Sequence, residues 1–286
     1  MPLHFKRILV PTDFSDISLN ALDYAAAVAR NSDAEVTLLH VYESYEQHAN
    51  ISLGLDINEI IEKGINDKID DIKATNKNLW GVKFNTKVVN GKSTNDIIKT
   101  AKQLKSDLIV MGTHGTSGLK NLGKYLLGSN AYRVVNNAPC PVVTIREKKS
   151  NIRFKDILLP IDNTKETKMK LDMAIQWAKD YDATIHLVAL TAFFEELFVE
   201  IKDLKKMIGD IETKLEKAGV KYTSKMIRHQ RASESVITYA EKIPADLIIM
   251  VTGHDNQWSK VVVRSAARNI ITESTVPVLS INADKV

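Results

Sequence analysis

Three short segments in the first half of the chain contain the residue types expected of a phosphate-binding site. Gly112-Thr113-His114-Gly115 follows an apolar run, and Gly128-Ser129 precedes a helical pattern. Glycine lets backbone amides approach a phosphate with no side chain in the way, and a serine at a helix start caps the helix and binds a phosphate oxygen. Pro11-Thr12-Asp13 follows the first apolar run, and its carboxylate suits a ribose hydroxyl or an exocyclic amine. These segments together suit a nucleotide.

Each segment also has an ordinary structural interpretation. Gly112 and Gly115 are consistent with a simple turn, Gly128-Ser129 with a simple helix start, and Asp13 with a cap on the helix that begins near Ser15. Any one of them alone favours the structural interpretation. All of them follow strands of one predicted sheet, and ligands bind at the carboxyl ends of strands in open parallel sheets. The combination therefore favours a binding site.

The elements that position these residues alternate between short apolar runs and longer helical patterns. Strands are predicted at 8–10, 35–41, 84–89, 107–111 and 142–145, and helices at 15–31, 57–72, 95–105 and 129–136. Apolar strands separated by helices indicate a parallel sheet covered on both faces. The predicted class is α/β, a doubly wound five-stranded parallel sheet of Rossmann-like type with helices on both faces.

The second half of the chain repeats this pattern. Ile8-Leu9-Val10-Pro11 recurs as Ile157-Leu158-Leu159-Pro160, and Asp107-Leu108-Ile109 recurs as Asp246-Leu247-Ile248. Strands are predicted in the second copy near 157–161, 184–189, 220–226, 246–250 and 278–281. The sequence therefore predicts two tandem domains, 1–150 and 151–286, of which only the first carries the glycine-bearing segments.

Composition excludes several classes of protein. The chain has 286 residues and a formal net charge of +4, with 39 Lys+Arg against 35 Asp+Glu, so a nucleic-acid partner is not predicted. No apolar run approaches the roughly 18 residues of a membrane span, so a membrane partner is not predicted. The N-terminus does not resemble a secretory signal, and the single cysteine, Cys140, fits a reducing compartment. A cytoplasmic location is expected, with Cys140 as a buried structural thiol.

The motifs and their order resemble the universal stress protein family. The resemblance is carried by Ile8-Leu9-Val10-Pro11-Thr12-Asp13, by Asp107 to Gly118, by Gly128-Ser129-Asn130, and by Cys140-Pro141-Val142. It covers nearly the whole chain as two tandem copies. It implies the five-stranded fold derived above and, for one branch of the family, ATP binding with Mg²⁺ as an expected bridge between phosphates.

The resemblance also implies roles for particular residues. Asp13 and the backbone of Val41 face adenine and ribose, and Pro11 and Thr12 line the same cleft. Ribose and phosphates are flanked by four residues, Met111, Gly112, His114 and Gly115. Phosphate oxygens are held by Gly128, Ser129 and Asn130. No catalytic residue and no protein metal ligand is predicted.

The spacing departs from the family pattern in both copies. Twelve residues, Thr116–Leu127, separate Gly115 from Gly128, where the family has nine. This insertion either bulges while both glycine anchors stay in place, or it blocks or reshapes the phosphate site. In the second copy, Val251 stands at the position of Gly112, and His254 and Arg264 replace the other two glycines. A β-branched valine crowds a phosphate, so at most one competent site is predicted, in residues 1–150.

The expected function is that of a stress-response sensor or regulatory binding protein that holds ATP in its N-terminal domain. Two alternatives stay open: a nucleotide-free scaffold for protein interactions, and a slow ATP hydrolase with His114 as the single candidate base. The two domains are expected to pack as an intramolecular pseudo-dimer through their last strands, and pairing of chains into a homodimer is left open. His40 and His186 are expected at matching places in the second strand of each copy, and they are interpreted as packing residues.

Overall fold

The computed structural model describes residues 5–43, 57–113, 129–161, 167–192, 198–229, 231–252 and 260–283. Ten strands lie in these ranges. The first copy contributes β1 (Arg7–Thr12), β2 (Glu35–Tyr42), β3 (Lys83–Asn90), β4 (Leu108–Gly112) and β5 (Val142–Ile145); the second contributes β6 (Asp156–Ile161), β7 (Thr184–Ala192), β8 (Lys221–His229), β9 (Leu247–Thr252) and β10 (Val278–Asn282). Each predicted strand is present, with small differences at the ends.

Helices connect the strands of each copy. They are α1 (Asp16–Ser32), α2 (Ile57–Thr75), α3 (Ser93–Gln103) and α4 (Ser129–Asn137), then α5 (Thr167–Tyr181), α6 (Phe198–Ala218), α7 (Ala232–Lys242) and α8 (Lys260–Glu273). A short 3₁₀ turn, Lys77–Leu79, follows α2. Within the described ranges, no helix is long and apolar enough to cross a bilayer.

The strand order is β3-β2-β1-β4-β5-β10-β9-β6-β7-β8, in a single sheet. Strands within each copy are parallel, and the direction of winding reverses between β1 and β4 and again between β6 and β9. The α/β, doubly wound prediction is therefore confirmed. The two five-stranded sheets are also continuous, because β5 pairs antiparallel with β10 through Val143 and Leu279.

Apolar side chains fill both faces of the sheet. Ile8 and Val10 point to one face with α1, α2, α5 and α6, whereas Leu9 points to the other with α3, α4, α7 and α8. This alternation follows from the twofold periodicity of a strand. Covering both faces requires strands that are apolar at nearly every position, which is why the apolar runs in the sequence locate them.

The two copies contact each other beyond the sheet. Asn20 of α1 is 2% exposed, and its side-chain amide binds the backbone of Lys149 twice, donating to the carbonyl at 3.0 Å and accepting from the N–H at 3.0 Å. The Phe154 ring packs between Tyr24 and Trp177. The segment that joins the copies is thereby fixed to the first helix.

Candidate functional site

The pairing of β1 with β4 stops before the carboxyl ends of both strands, and this unpaired part of the sheet is called the gap. The two strands pair at Ile8–Leu108 and Leu9–Ile109, and β1 then continues to Thr12. Odd-numbered residues of β1 direct their backbone groups towards β4, since the Arg7 carbonyl accepts from the Asp107 N–H at 2.9 Å. The next residue of β1 on that side is Pro11, which has no N–H to donate. The ladder therefore ends at Leu9, and the strands are free to separate.

Gly112 faces this gap from the other strand. The N–H groups of Ile109 and Thr113 donate to carbonyls of the β5 side, so the odd-numbered residues of β4 point away from β1. Gly112, between them, directs its backbone groups towards β1, and it brings no side chain to the gap. Met111 points its backbone towards β5, and its side chain is buried in the apolar core. Of these two predicted residues, Gly112 faces the gap and Met111 serves packing.

Val41 brings a backbone carbonyl to the same edge. Glu35 N–H donates to the Lys6 carbonyl, so the odd-numbered residues of β2 direct their backbone groups towards β1. The pairing of β1 with β2 ends at Thr12 and His40. The carbonyl of Val41, one residue further, is thus directed beyond the end of β1, consistent with the predicted backbone role.

Thr12 and Asp13 organise the turn from β1 into α1. The buried Thr12 hydroxyl lies 2.9 Å from the Ser18 hydroxyl and accepts from the Phe14 N–H at 3.0 Å. Asp13 Oδ1 accepts from the N–H and the hydroxyl of Ser15, at 3.1 and 2.6 Å. Ser15 is the N-cap of α1. Asp13 therefore orients the capping residue and does not itself cap the helix.

Phe14 has an unusual conformation directly beside the gap. Its φ is 63°, in the left-handed region that costs energy for a side chain of this size. The ring stacks on His40, with centroids 4.4 Å apart, and the Lys68 ammonium of α2 lies 5.4 Å from its centroid. Backbone strain of this kind is concentrated at functional sites.

His40 is held as a hydrogen-bond donor to the backbone. Its Nδ1 lies 2.8 Å from the Thr12 carbonyl oxygen, which can only accept, so Nδ1 carries the proton. Burial lowers the pKa of His40 below its usual value, and the bond to Thr12 and the charge of Asp13 oppose this shift without reversing it. A neutral imidazole therefore forms one wall beside Phe14.

Helix α4 approaches the gap from the other face of the sheet. Because β4 and β5 are parallel, the intervening helix runs back and begins at the carboxyl ends of the strands. Ser129 and Asn130 occupy its first turn, where backbone N–H groups lack partners within the helix. The exposed Asn130 side chain accepts from the Thr94 hydroxyl at 3.0 Å through Oδ1. Backbone N–H donors of α4 are therefore at the correct end of the sheet.

Three predicted residues, His114, Gly115 and Gly128, lie outside the described residues, as does the insertion Thr116–Leu127. The described residues thus bring together Pro11, Thr12, Asp13, Val41 and Gly112 at one edge, with Ser129 and Asn130 at the start of α4. They separate Met111 from this group by the direction of its backbone and side chain.

Among the residues that the structure describes, the second copy has the same break in its sheet, with apolar residues at three matching positions. The pairing of β6 with β9 also ends two residues before a proline, at Leu158, with Pro160 following. The register places Ile161 opposite Ala189, where the first copy has Thr12 opposite His40. Val251 stands at the position of Gly112 and packs against the apolar core. These three described positions of the corresponding edge are therefore apolar, and Asp162, at the position of Asp13, lies outside the described residues.

The prediction that His40 and His186 lie at matching places in their strands is wrong. His40 pairs with Thr12 at the end of β1, whereas His186 pairs with Leu158, three positions nearer the start of its strand. His40 lies beside the gap, so it is more than a packing residue. The sequence pattern predicts no role for Phe14 or Lys68, because their contacts join residues far apart in the sequence.

Cys140 has the predicted buried state. It is 6% exposed, and burial raises the pKa of its thiol to about 12. Among the residues that the structure describes, no group of three or more His, Cys, Asp and Glu side chains is arranged to hold a metal ion.

Known proteins match the chain over both copies. The Universal stress protein family matches residues 4–146 and again 153–282. A universal stress protein of Methanocaldococcus jannaschii is 36% identical over 152 residues, covering 51% of this chain and 84% of that protein. A universal stress protein of Synechocystis is 24% identical over 294 residues, covering 96% of this chain and 99% of that protein.

A solved structure has the same architecture over its full length. The crystal structure of a universal stress protein from Archaeoglobus fulgidus aligns with a TM-score of 0.70 at 20% identity, covering 98% of each chain. At this identity the likeness shows the fold. With the two family matches, it establishes that this chain is a tandem, two-domain member of the universal stress protein family.

Proposed function

We propose that the N-terminal domain binds ATP in the gap between β1 and β4 and that the protein acts as a stress-response sensor or regulatory binding protein. The observation that carries this proposal is the break in the ladder at Pro11, opposite the side-chain-free Gly112. The break lies where the direction of winding reverses, the position at which open α/β sheets bind ligands.

The groups around the gap suit the parts of a nucleotide. The Asp13 carboxylate and the Val41 carbonyl are acceptors for a ribose hydroxyl or the adenine amine, and Pro11 and Thr12 line the same edge. On the other side, Gly112 and the first turn of α4, with Ser129 and Asn130, offer backbone donors to phosphates. His114, Gly115 and Gly128 complete this proposed set, and Met111 supports it from the core.

The phosphate oxygens of ATP are the expected ligands of any bound Mg²⁺. Asp13 is the single carboxylate in the proposed set, so the protein residues present fit a metal that is held mainly by phosphate oxygens and water. Such an ion would neutralise charge on the bound triphosphate. This proposal assigns no protein residue as a dedicated metal ligand.

We propose that the C-terminal domain does not bind ATP and instead pairs with the first. Val251, Ile161 and Ala189 are apolar residues at the positions where the first domain has Gly112, Thr12 and His40. Pairing of β5 with β10 supports a pseudo-dimer of domains 1–150 and 151–286, whose boundary lies beside the segment that Asn20 holds. ATP would shift the population of the paired domains towards the conformation that binds it most tightly. A cytoplasmic location fits this role, and homodimer formation stays open.

An equilibrium titration of ATP against Asp13→Asn tests the proposed nucleotide contact. Asparagine keeps an Oδ1 acceptor for Ser15 and removes the charge, so α1 should still begin correctly. We expect the affinity for ATP to fall roughly tenfold, which corresponds to about 1.4 kcal/mol. Asp33→Asn, at the exposed end of α1, is the matched control and should bind as the wild type does. Unchanged affinity in Asp13→Asn, or no ATP binding by the wild type, would overturn this assignment and favour the nucleotide-free scaffold.

A further inference from the structure

Asp156, His186 and Thr223 form a hydrogen-bonded row across three neighbouring strands of the second domain. His186 Nε2 lies 3.0 Å from Asp156 Oδ1, and His186 Nδ1 lies 2.8 Å from Thr223 Oγ1. The register pairs His186 with Thr223 and places Asp156 two positions before the partner of His186 on β6. All three side chains therefore share one face of the sheet.

The chemistry of the three groups fixes the direction of the hydrogen bonds. An ionised carboxylate only accepts, so Nε2 of the imidazole carries the proton that points to Asp156. In neutral imidazole the other nitrogen, Nδ1, is then an acceptor, and the Thr223 hydroxyl donates to it. The exposed hydroxyl has its proton aimed at a base, and that base is oriented by a third group.

This is the arrangement that activates a hydroxyl nucleophile, in which a base takes the proton as the oxygen attacks. We propose that Thr223 is an acyl-acceptor site, with His186 as its general base and Asp156 as the positioning residue. The substrate class is an activated acyl ester or thioester. The site lies at the amino-terminal ends of β6, β7 and β8, the opposite edge of the sheet from the proposed ATP gap, so it is independent of the proposed function.

The transfer balances without any further reactant. Thr223 Oγ1 bonds to the carbonyl carbon of the acyl donor while its proton passes to His186 Nδ1. The tetrahedral intermediate then loses the alkoxide or thiolate, which takes the proton from His186. The products are an ester on Thr223 and a free alcohol or thiol.

The first domain provides an internal comparison. At the corresponding positions the register places Arg7, Thr37 and Asn85. Asn85 binds Glu35 there, so no base faces a hydroxyl. The row is therefore specific to the domain that lacks the glycine-bearing segments, and general packing of this fold does not require it.

Acetylation by p-nitrophenyl acetate, followed by peptide mass spectrometry of the full chain, tests the proposal. We expect an acetyl group on Thr223 that hydroxylamine removes, because it is an ester and lysine amides resist this treatment. His186→Gln should lower the rate of its formation on the order of a hundredfold. Asp156→Asn should also lower it with an unchanged unfolding temperature, because the amide donates to Nε2 and turns Nδ1 into a donor.

Controls separate activation from simple exposure. Thr223→Val should abolish the adduct at this position. Ser224→Ala removes the neighbouring exposed hydroxyl, which points to the other face of β8, and should leave the rate at Thr223 unchanged. The proposal is overturned if Ser224 is acetylated as fast as Thr223, or if His186→Gln does not slow the reaction at Thr223 while the protein stays folded.

Discussion

His40 Nδ1 donates to the carbonyl oxygen of Thr12 at 2.8 Å, at the point where the pairing of the first two strands ends. The bond joins a half-buried imidazole to the backbone of Thr12, which precedes the turn into α1. Phe14 then stacks on the same imidazole. One histidine thus contacts both Thr12 and Phe14 beside the gap, so the protonation state of His40 affects the stability of the protein.

His40 should make the protein less stable in mild acid. Burial lowers its folded pKa, so as pH falls below about 6.5 the unfolded chain takes up this proton before the folded protein does. The free energy of unfolding therefore keeps its full value above that pH and decreases towards the folded pKa. In His40→Asn, urea midpoints between pH 7.5 and 5.5 should change less than in the wild type. Carboxylates titrate in both proteins and cause a change common to both. If the urea midpoint changes equally in the two proteins, His40 contributes nothing to the pH dependence, which would contradict its lowered pKa.

Gly112→Val should abolish ATP binding without unfolding the protein. Gly112 is not among the described residues with positive φ, so its backbone accepts a β-branched residue, as Val251 shows at the matching position. The added side chain would project from the sheet beside the gap, on the face of Ile8 and Val10, where it would obstruct a nucleotide. We expect at least a tenfold loss of affinity in a calorimetric titration. Val251→Ala, the control in the second domain, should bind ATP normally; a Gly112→Val protein with wild-type affinity would show that the gap is not the site.

Asn20→Ala should destabilise the protein through the segment that joins the domains. Its amide is buried and makes two bonds to the backbone of Lys149, which the variant leaves without these partners. We expect a loss of about 1–3 kcal/mol in the free energy of unfolding, measured by urea denaturation. Asn31→Ala removes an exposed bond to the Asp180 carbonyl and should cost less. Equal effects of the two substitutions would argue against the importance of burial.

The two domains should unfold together in one transition. β5 pairs with β10, and the pairing is flanked by two reciprocal bonds: Arg146 donates to the Glu273 carbonyl, and Asn282 donates to the Asn136 carbonyl at 2.6 Å. Each accepting carbonyl lies in the last turn of a helix, and its donor belongs to the other domain. Differential scanning calorimetry should give one peak for the wild type and a lower melting temperature for Asn282→Ala. Two separated peaks in the wild type would contradict the proposed pseudo-dimer.

Cys140 should be inert in the folded protein. With its pKa raised to about 12, the fraction of thiolate at pH 8 is on the order of one in ten thousand, and the side chain is buried as well. In native buffer, Ellman's reagent should react within minutes with much less than one thiol per chain. In denaturant it should react with one thiol per chain. Rapid reaction in native buffer would show that this region opens.

Much of the fold follows from local sequence patterns. Strands buried on both faces appear as apolar runs, as in Leu108 to Met111, and the repeat of Ile8 to Pro11 at Ile157 to Pro160 marks the second domain. The edge that holds Asp13 and Gly112 follows from the rule that ligands bind where winding reverses. These features depend on neighbouring residues or on a known topology.

Other features depend on register, which the sequence pattern does not determine. That the missing N–H of Pro11 faces β4 requires the pairing of Arg7 with Asp107. The stacking of Phe14 on His40 and the row through His186 join residues on different strands. His40 is the sixth residue of β2 and His186 the third residue of β7, and this difference of three positions gives them different neighbours.

The most direct test of the proposed nucleotide site is the stoichiometry of ATP binding to the full chain by isothermal titration calorimetry. We predict one ATP per chain for the wild type and none detected for Gly112→Val, with Val251→Ala still binding one. Two ATP molecules per wild-type chain would contradict the proposal that the second domain has lost its site. Absence of binding to the wild type would contradict the proposal that the gap between β1 and β4 holds a nucleotide.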